Sequence, residues 1–392
     1  MTPIANELHS SSSGKNEQQF YPLDLGICDD CKHIQLLTLI DSSLLFSNYP
    51  YLSNSNTGTA NRFIRLAESL STQIENTPNK FVLEVGSNDG FLLNCFRELG
   101  WKILGVDPAK EIAELANNNG LTTIIDFFSS EIAKKILDEY GKPNLIIANN
   151  VLAHTDELRD IFRGLELLMS ENSLLVIEFS YVLDVFEKLL FDTIYHEHTS
   201  YHSVTALIPF LREMGLELIN IERFDAHGGS ARVFIRKIGK ASPMPTVNEL
   251  LLEEEQKGVN SIAAWKDYEK RIQSLGAQID ATLKDIHSKG LKLVGYGIPA
   301  KFATLFHVLG IKEQYFSFLV DDNALKVGSF GPGTNLVIQP VDMLKDSAAD
   351  YIFLFSWNYA NEISKKIFSN NLVETGVIIP LPDFEIIKKI SH

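Results

Sequence analysis

A repeated alternation constrains this chain more than any other feature. Short apolar runs of strand length are each followed by a stretch with helical spacing. The first series runs through FVLEVG (Phe81–Gly86), KILGVDP (Lys102–Pro108), TTIID (Thr122–Asp126), NLIIANN (Asn144–Asn150) and LLVIEF (Leu174–Phe179). LELINIERF (Leu216–Phe224) and SARVFIRKI (Ser230–Ile238) then read as an antiparallel edge pair joined through a glycine turn. The rhythm breaks at ASPMPT (Ala241–Thr246) and at a charged helical region over Val247–Ser288. It restarts at KLVGYG (Lys292–Gly297) and continues through YFSFLVDD, YIFLFSW and GVIIPLP. Strands alternating with helices imply a parallel sheet covered on both faces. The expected fold class is α/β, with two such units joined by a helical connector.

The remainder of the 392 residues is harder to read. A helix is expected over Thr59–Ile74. The run before it, LTLIDSSLLFSNYPYLSNSN, closes in a Tyr/Ser/Asn stretch that reads as an ordered loop or lid. Upstream lies a cysteine-containing segment, FYPLDLGICDDCKHIQL (Phe20–Leu36). Residues 1 to about 18 are rich in Ser, Asn and Gln, so they are expected to be mobile.

The bulk numbers serve mainly to exclude. A net charge of −15 argues against a nucleic-acid partner. The longest apolar runs are of strand length, which argues against a membrane span. Three cysteines (Cys28, Cys31, Cys95) make no disulfide framework, and a reducing, cytoplasmic setting is the expectation. Oligomeric state is not legible.

Six motifs bear on chemistry. In FVLEVGSNDGFLL a strand enters a glycine turn (Gly86, Gly90) and then a helix, a form that brings backbone N–H groups close to a ligand. Asp107 ends the next strand, where an acid can accept hydrogen bonds from ribose hydroxyls. The turn lacks G-x-G-x-x-G. With Glu84 in the strand and Asn88 and Asp89 in the turn, it suits a nucleoside with a charged tail and no pyrophosphate, such as S-adenosylmethionine. The plainer reading is a tight turn with a capping Asp. In ANNVLAHTDEL (Ala148–Leu158), Asn149 sits at a strand's C-terminal end, where open α/β sheets bind ligands, and His154 follows on a loop.

YHEHTSYHS (Tyr195–Ser203) fails the H-E-x-x-H pattern, because Ser200 stands four residues after His196. No single local geometry presents His196, His198 and His202 together, which counts against a metal cage. A His–Tyr pair suits proton transfer, and the other reading is a polar loop. AHGGSARVF (Ala226–Phe234), with His227 and Arg232, reads by itself as a hairpin turn. GYGIPAKFATLF (Gly295–Phe306) puts Lys301 in a helix's first turn, an arrangement that suits an anion. Asp321 and Asp322 after it mimic a dinucleotide fingerprint without the third glycine. Cys28 and Cys31 make half of a four-ligand zinc site, which His9 or His33 would have to complete.

Together these pieces resemble the S-adenosylmethionine-dependent C-methyltransferases that act on nucleotide-linked keto-deoxysugars. The matching elements include LEVGSNDGFLL, ANNVLAH, FDTIYHEHTSY, HGGSARVF, GYGIPAK, GPGTNLVI and FSWNYANEI, in the family's order. The resemblance implies an N-terminal segment with a zinc-binding-like region and a helix (1–75) and a class I methyltransferase Rossmann-like domain (76–240). A helical connector (241–288) and a second Rossmann-like domain that helps hold the nucleotide sugar (289–392) follow. The family's earlier cysteine pair is missing here, which puts the zinc in doubt. Ala231 and Ile298 are smaller departures.

The resemblance also implies that Tyr195 and His198 serve proton abstraction and enolate formation, with Glu197 between them. The expected chemistry has His198 as base, with Tyr195 and His154 donating to the enolate oxygen. Glu84, Gly86, Asn88, Asp89, Gly90, Asp107 and Asn149 are expected around the cofactor. His196, His227, Arg232 and Lys301 are expected around the sugar nucleotide. The competing readings are an NAD-dependent oxidoreductase built on the C-terminal unit and a non-catalytic nucleotide-sugar binder.

Overall fold

The computed structural model describes residues 1–10, 18–41, 44–45, 57–74, 79–226 and 228–389. Most of the run expected to form a lid, and His227, lie outside the described residues. An N-terminal hairpin pairs β1 (Leu25–Ile27) with β2 (Ile34–Leu36). The first strand–helix series supplies β3 (Phe81–Val85), β4 (Lys102–Val106), β5 (Thr123–Ile124), β6 (Leu145–Asn149) and β7 (Leu174–Ser180). The short β8 (Ser200–Tyr201) then leaves that series and pairs with β2, aligning Ile34 with Tyr201. Next, β9 (Leu216–Phe224) and β10 (Ser230–Lys237) return to complete a seven-stranded sheet in the order β5-β4-β3-β6-β7-β10-β9.

That sheet is parallel except for β10, which runs antiparallel to both neighbours. The expected edge pair therefore forms, with β10 inserted between β7 and β9. The strand order and the single reversed strand are those of a class I methyltransferase Rossmann-like fold. The chain runs outward from β3 to β4 on one side and continues from β6 on the other. Such a switch point leaves a crevice at the C-terminal strand ends, between the turns after β3 and β6. The strands are buried on both faces: all five residues of β3 are buried, as expected beneath two helical layers. The helix over Thr57–Gln73 lays Phe63, Leu66 and Leu70 on one face, against Val82, Leu145 and Val176.

The second series builds a six-stranded sheet from β11 (Leu293–Tyr296), β12 (Phe316–Asp321), β13 (Ile338–Pro340), β14 (Tyr351–Leu354), β15 (Gly376–Ile379) and β16 (Glu385–Lys388). Its order is β13-β12-β11-β14-β15-β16, parallel except for the edge strand β16. It too has a switch point, between β11 and β14. The turn after β11 presses closely on the one after β14, because a Cβ on Gly297 would meet Ser356 Oγ at 2.1 Å. Two helices, Pro245–Lys257 and Ile262–Ser288, connect the sheets. The second starts at Ser261, whose side chain accepts from the N–H of Ala264.

One connector residue anchors the first sheet's periphery. Glu254 is fully buried. It accepts hydrogen bonds from Tyr181 Oη (2.6 Å), the amides of Val204 (2.7 Å) and Thr205 (2.9 Å), and Thr205 Oγ1 (2.6 Å). A buried carboxylate with four donors is fully compensated, and here it caps the helix over Val204–Glu213 from outside that helix.

The expectation of a mobile N-terminus needs correction. Residues 11–17 lie outside the described residues, but Thr2, Pro3 and Ala5 are buried. Thr2 exchanges both backbone hydrogen bonds with Tyr21, each at 2.9 Å. His9 forms an antiparallel bridge with Phe330 and stacks on its ring at 5.2 Å. Composition alone misled, because polar residues are ordered here by strand-like pairing with distant parts of the chain.

Candidate active site

The crevice at the first switch point is built from the turn after β3 and the end of β6. Gly86, Asn88 and Gly90 all have left-handed backbone, with φ of 70°, 50° and 74°. Two of them must also be small. A Cβ on Gly86 would meet Val151 Cγ2 at 2.4 Å, and one on Gly90 would meet Leu121 Cδ1 at 2.7 Å. Asp89 caps the following helix by accepting from the N–H of Phe91 at 3.2 Å. Asp107, at the end of β4, staples the turn: Oδ2 accepts from Asn88 N at 2.8 Å and Oδ1 from Ala109 N at 2.9 Å. Each oxygen keeps a second lone pair.

Polar atoms of the elements that build this crevice are buried without a hydrogen-bond partner among the described residues: both amide atoms of Asn149, Oε2 of Glu84 and Oγ of Ser87. Burial, with the negative charge of Asp107, Asp89 and Glu178, pushes the Glu84 carboxyl well above its ordinary range. Buried polar atoms without partners are rare enough to indicate a ligand. An acidic surround favours a ligand that carries positive charge and disfavours a pyrophosphate. The residues present therefore fit S-adenosylmethionine, whose sulfonium and ammonium groups are cationic.

Glu178 was not foreseen. It lies beside Asn149 in register on β7 and is almost wholly buried. Arg62 reaches Oε2 at 2.6 Å, and Arg232 reaches Oε1 at 2.8 and 2.6 Å. Arg232 also meets Glu222 and lies over the Phe224 ring. In this structure it is thus committed to the β7–β10–β9 surface. The expected sugar-side partner from the same motif, His227, lies outside the described residues. A Cβ on Gly228 would meet Leu190 and Trp357, each at 2.9 Å, so this turn packs tightly against both units.

The histidine motif lies at the mouth of the crevice. The segment Phe191–Glu197 is buried, and His198 is its first partly exposed residue. His198 Nδ1 lies 2.8 Å from the carbonyl oxygen of Thr193, and Nε2 lies 3.0 Å from Tyr195 Oη. A carbonyl only accepts, so Nδ1 carries the proton. In the neutral ring Nε2 then offers a lone pair, and the Tyr195 hydroxyl donates to it. The Tyr195 and His198 rings are 4.2 Å apart.

His154, in a 3-10 turn after β6, meets the His198 ring edge-on at 4.8 Å. Burial pushes its pKa down to about 4, so it is neutral near pH 7. The structure thus brings Tyr195, His198 and His154 together next to Asn149's turn.

Other members of the motif face elsewhere. Burial pushes Glu197 up to about 7, opposed by a hydrogen bond with the Asn6 side chain. His196 meets Tyr21 edge-on at 5.6 Å. His202 is buried against Phe179 and His33, and burial pushes it down to about 3. Asn6 and Tyr21 therefore reach the back of the motif, contacts that no sequence spacing announces. Lys301 stands next to the helix over Phe302–Val308, with Nζ 4.0 Å from Asp192 and 5.2 Å over the Trp357 ring.

Cys28 and Cys31 are both exposed. Hydrogen bonds from the backbone of Cys31 and Asp30 lower the Cys28 thiol pKa. Neither histidine named as a possible completing ligand serves. His33 Nε2 pairs with Ser200 Oγ at 3.2 Å, and His9 lies on Phe330. No group of three metal-ligating side chains exists among the described residues. Two thiols are half of a tetrahedral site, so these residues do not fit a structural zinc.

Comparison with known proteins agrees with this architecture. Residues 1–46 match a domain family described as zinc-binding, 59–221 a methyltransferase domain, and 225–382 a C-methyltransferase C-terminal domain. The chain is 29% identical to the C-methyltransferase NovU of Streptomyces niveus over 389 residues, covering 98% of this chain and 92% of that one. Among solved structures, magnesium protoporphyrin IX methyltransferase ChlM from Synechocystis PCC 6803, with bound SAM, shares 15% identity at a TM-score of 0.35. It covers 46% of this chain and 80% of its own. The CcbJ methyltransferase from Streptomyces caelestis shares 14% at 0.37, covering 50% and 95%.

Proposed function

Since the chain belongs to the S-adenosylmethionine-dependent C-methyltransferases, we propose that it methylates the carbon next to the ketone of a nucleotide-linked keto-deoxysugar through a base-generated enolate. The observation that carries this reading is the placement of His198, with Nδ1 on the Thr193 carbonyl and Nε2 against the Tyr195 hydroxyl. When bound, S-adenosylmethionine supplies a methyl group on a sulfonium sulfur, already activated for displacement.

The chain's own residues supply acid–base chemistry and alignment. As the ketone arrives, the Tyr195 hydroxyl turns from Nε2 to the ketone oxygen. That move polarises the carbonyl and uncovers the base. His198 Nε2 then takes the proton from the neighbouring carbon, and the C–H electron pair becomes the enolate double bond. The imidazolium keeps its Nδ1–H on Thr193. Neutral His154 has a single N–H, held on the Glu197 backbone in this structure, and would release that bond to donate to the enolate oxygen. With the cofactor bound, the enolate carbon would take the methyl in line as the carbonyl re-forms, the C–S electron pair leaving on the neutral thioether, and the part of these residues is to hold the two centres together.

Asn149 and Glu84 would meet the cationic tail, Asp107 the ribose through its remaining lone pairs, and Gly86 and Gly90 would give close backbone approach. Asn88 and Asp89 shape that turn. Lys301 would meet the diphosphate, whereas His196, buried and turned toward Tyr21, would not reach the sugar. The acidic turn speaks against the dinucleotide oxidoreductase reading.

The test is incubation with isotopically labelled cofactor and a panel of nucleotide 4-keto-6-deoxysugars, read by mass spectrometry. His198→Asn should lose at least ~100-fold in turnover. It should still be stabilised against heat by S-adenosylhomocysteine. Full turnover in that variant would remove His198 as the base.

A further inference from the structure

The segment Phe191–Ile194 is gripped from the other unit. Asp192 is wholly buried. Its Oδ2 accepts from Trp357 Nε1 at 2.5 Å, and its Oδ1 faces Lys301 Nζ at 4.0 Å. Two residues on, the carbonyl of Ile194 accepts from Thr304 Oγ1 at 2.9 Å, in a bond that is also buried. Trp357 follows β14, and Lys301 and Thr304 follow the turn after β11. The two grips thus come from the switch point of the six-stranded sheet, and Thr193 lies between them. Its carbonyl holds His198 Nδ1 at 2.8 Å.

We propose that Asp192, Thr304 and Trp357 are positioning residues through which the C-terminal unit sets the tautomer of the catalytic imidazole. This deepens the methyl-transfer reading and rests on it. The carbonyl of Thr193 belongs to the peptide plane between Thr193 and Ile194. The same plane's N–H, on Ile194, donates to the Phe191 carbonyl at 2.9 Å within the 3-10 turn, and anchoring the side chain before the plane and the carbonyl after it holds that whole turn against the second unit. With the turn loosened, the Thr193 carbonyl shifts away from Nδ1, the ring samples the other tautomer, and Nε2 offers its lone pair for less of the time. A buried carboxylate is costly to keep without good partners. Asp192 keeps one oxygen at salt-bridge distance with no hydrogen-bond donor of its own among the described residues. That cost places its role in orientation rather than in general stability. Tyr195, His154, the Thr193 carbonyl and, at 3.5 Å, the Thr193 hydroxyl face His198, and the substitutions at the grip replace none of these residues.

The test uses the full chain with 15N-labelled histidine, the His198 signals being assigned by their loss in His198→Asn. The wild type should show one protonated Nδ1 and one unprotonated, hydrogen-bond-accepting Nε2. Thr304→Val, nearly isosteric, should move both signals toward the average of two tautomers, and Thr304→Ser should restore them. Asp192→Asn keeps the acceptor for Trp357 but loses the charge, and it should shift the signals the same way. Where an acceptor sugar is in hand, Thr304→Val should lower kcat about tenfold while the KM for the cofactor stays unchanged. Unchanged His198 signals in both Thr304→Val and Asp192→Asn, in proteins that melt as the wild type does, would overturn the proposal. The tautomer signals need no acceptor, so a failed sugar panel counts against the function and leaves this result standing on its own.

Discussion

At the scale of single residues, burial rather than charge pairing sets the protonation states around the motif. His202 is pushed down to about 3 and His154 to about 4, whereas Glu197 is pushed up to about 7. The signs oppose. A histidine whose folded pKa is depressed binds its proton more readily when unfolded. Its stabilising contribution is complete above pH 6.5 and declines as pH falls. A carboxyl with a raised folded pKa does the reverse, so Glu197 adds stability as pH falls from 7 toward 4.5. Between pH 7 and pH 5, His202 costs about 2 kcal/mol, and Glu197 returns a similar amount. His202→Phe should therefore raise the stability at pH 5 relative to that at pH 7 by about 2 kcal/mol compared with the wild type, measured by urea unfolding at the two pH values. An unchanged pH slope would mean that this imidazole is not held neutral. Sequence reading recognised His198, Tyr195 and His154 as chemistry. It left out Thr193, because the acting group is a backbone carbonyl and carries no residue-type signal. Asp192 and Trp357 stood in quoted motifs, but only the fold shows that they touch.

At the scale of elements, the strand–helix rhythm was legible because each strand is a short apolar run closed by a polar residue or glycine. β3, β4 and β6 lie within the runs read from sequence, and β7 extends one residue past its run, to Ser180. The expected strand Thr122–Asp126 shrinks to Thr123–Ile124, where β5 meets only the end of β4 at the sheet edge. Glu254 was invisible because it lies in a charged helix and looks like its exposed neighbours. In the fold it accepts four hydrogen bonds. Glu254→Gln replaces one acceptor oxygen with a donor facing other donors. It should destabilise the protein by about 3 kcal/mol, and Tyr181→Phe by about 1 kcal/mol. Chemical denaturation of both variants checks the pair. Equal losses would mean that the carboxylate gains nothing from its amide partners.

At the scale of the whole molecule, the N-terminal hairpin keeps the outline of a zinc-binding module while holding only two thiols. Its place is kept instead by β2 pairing with β8 and by the bridges of Thr2 and His9 to distant residues. Purified protein should contain well under one zinc per chain, and EDTA should leave the melting temperature within about 1 °C. Stoichiometric zinc by elemental analysis, or a large drop with chelator, would mean that other ligands complete the site. No helix among the described residues is long and apolar enough to cross a membrane.

The side chain of Gln18 accepts from the amide of Gly333, 315 residues away, and His9 lies on Phe330. During synthesis the opening segment leaves the ribosome long before either docking surface exists. The contacts of His9 and Gln18 with Phe330 and Gly333 must therefore wait for the second strand–helix series, whereas Thr2, Asn6 and Tyr21 can pair and back the histidine motif as soon as that motif has emerged.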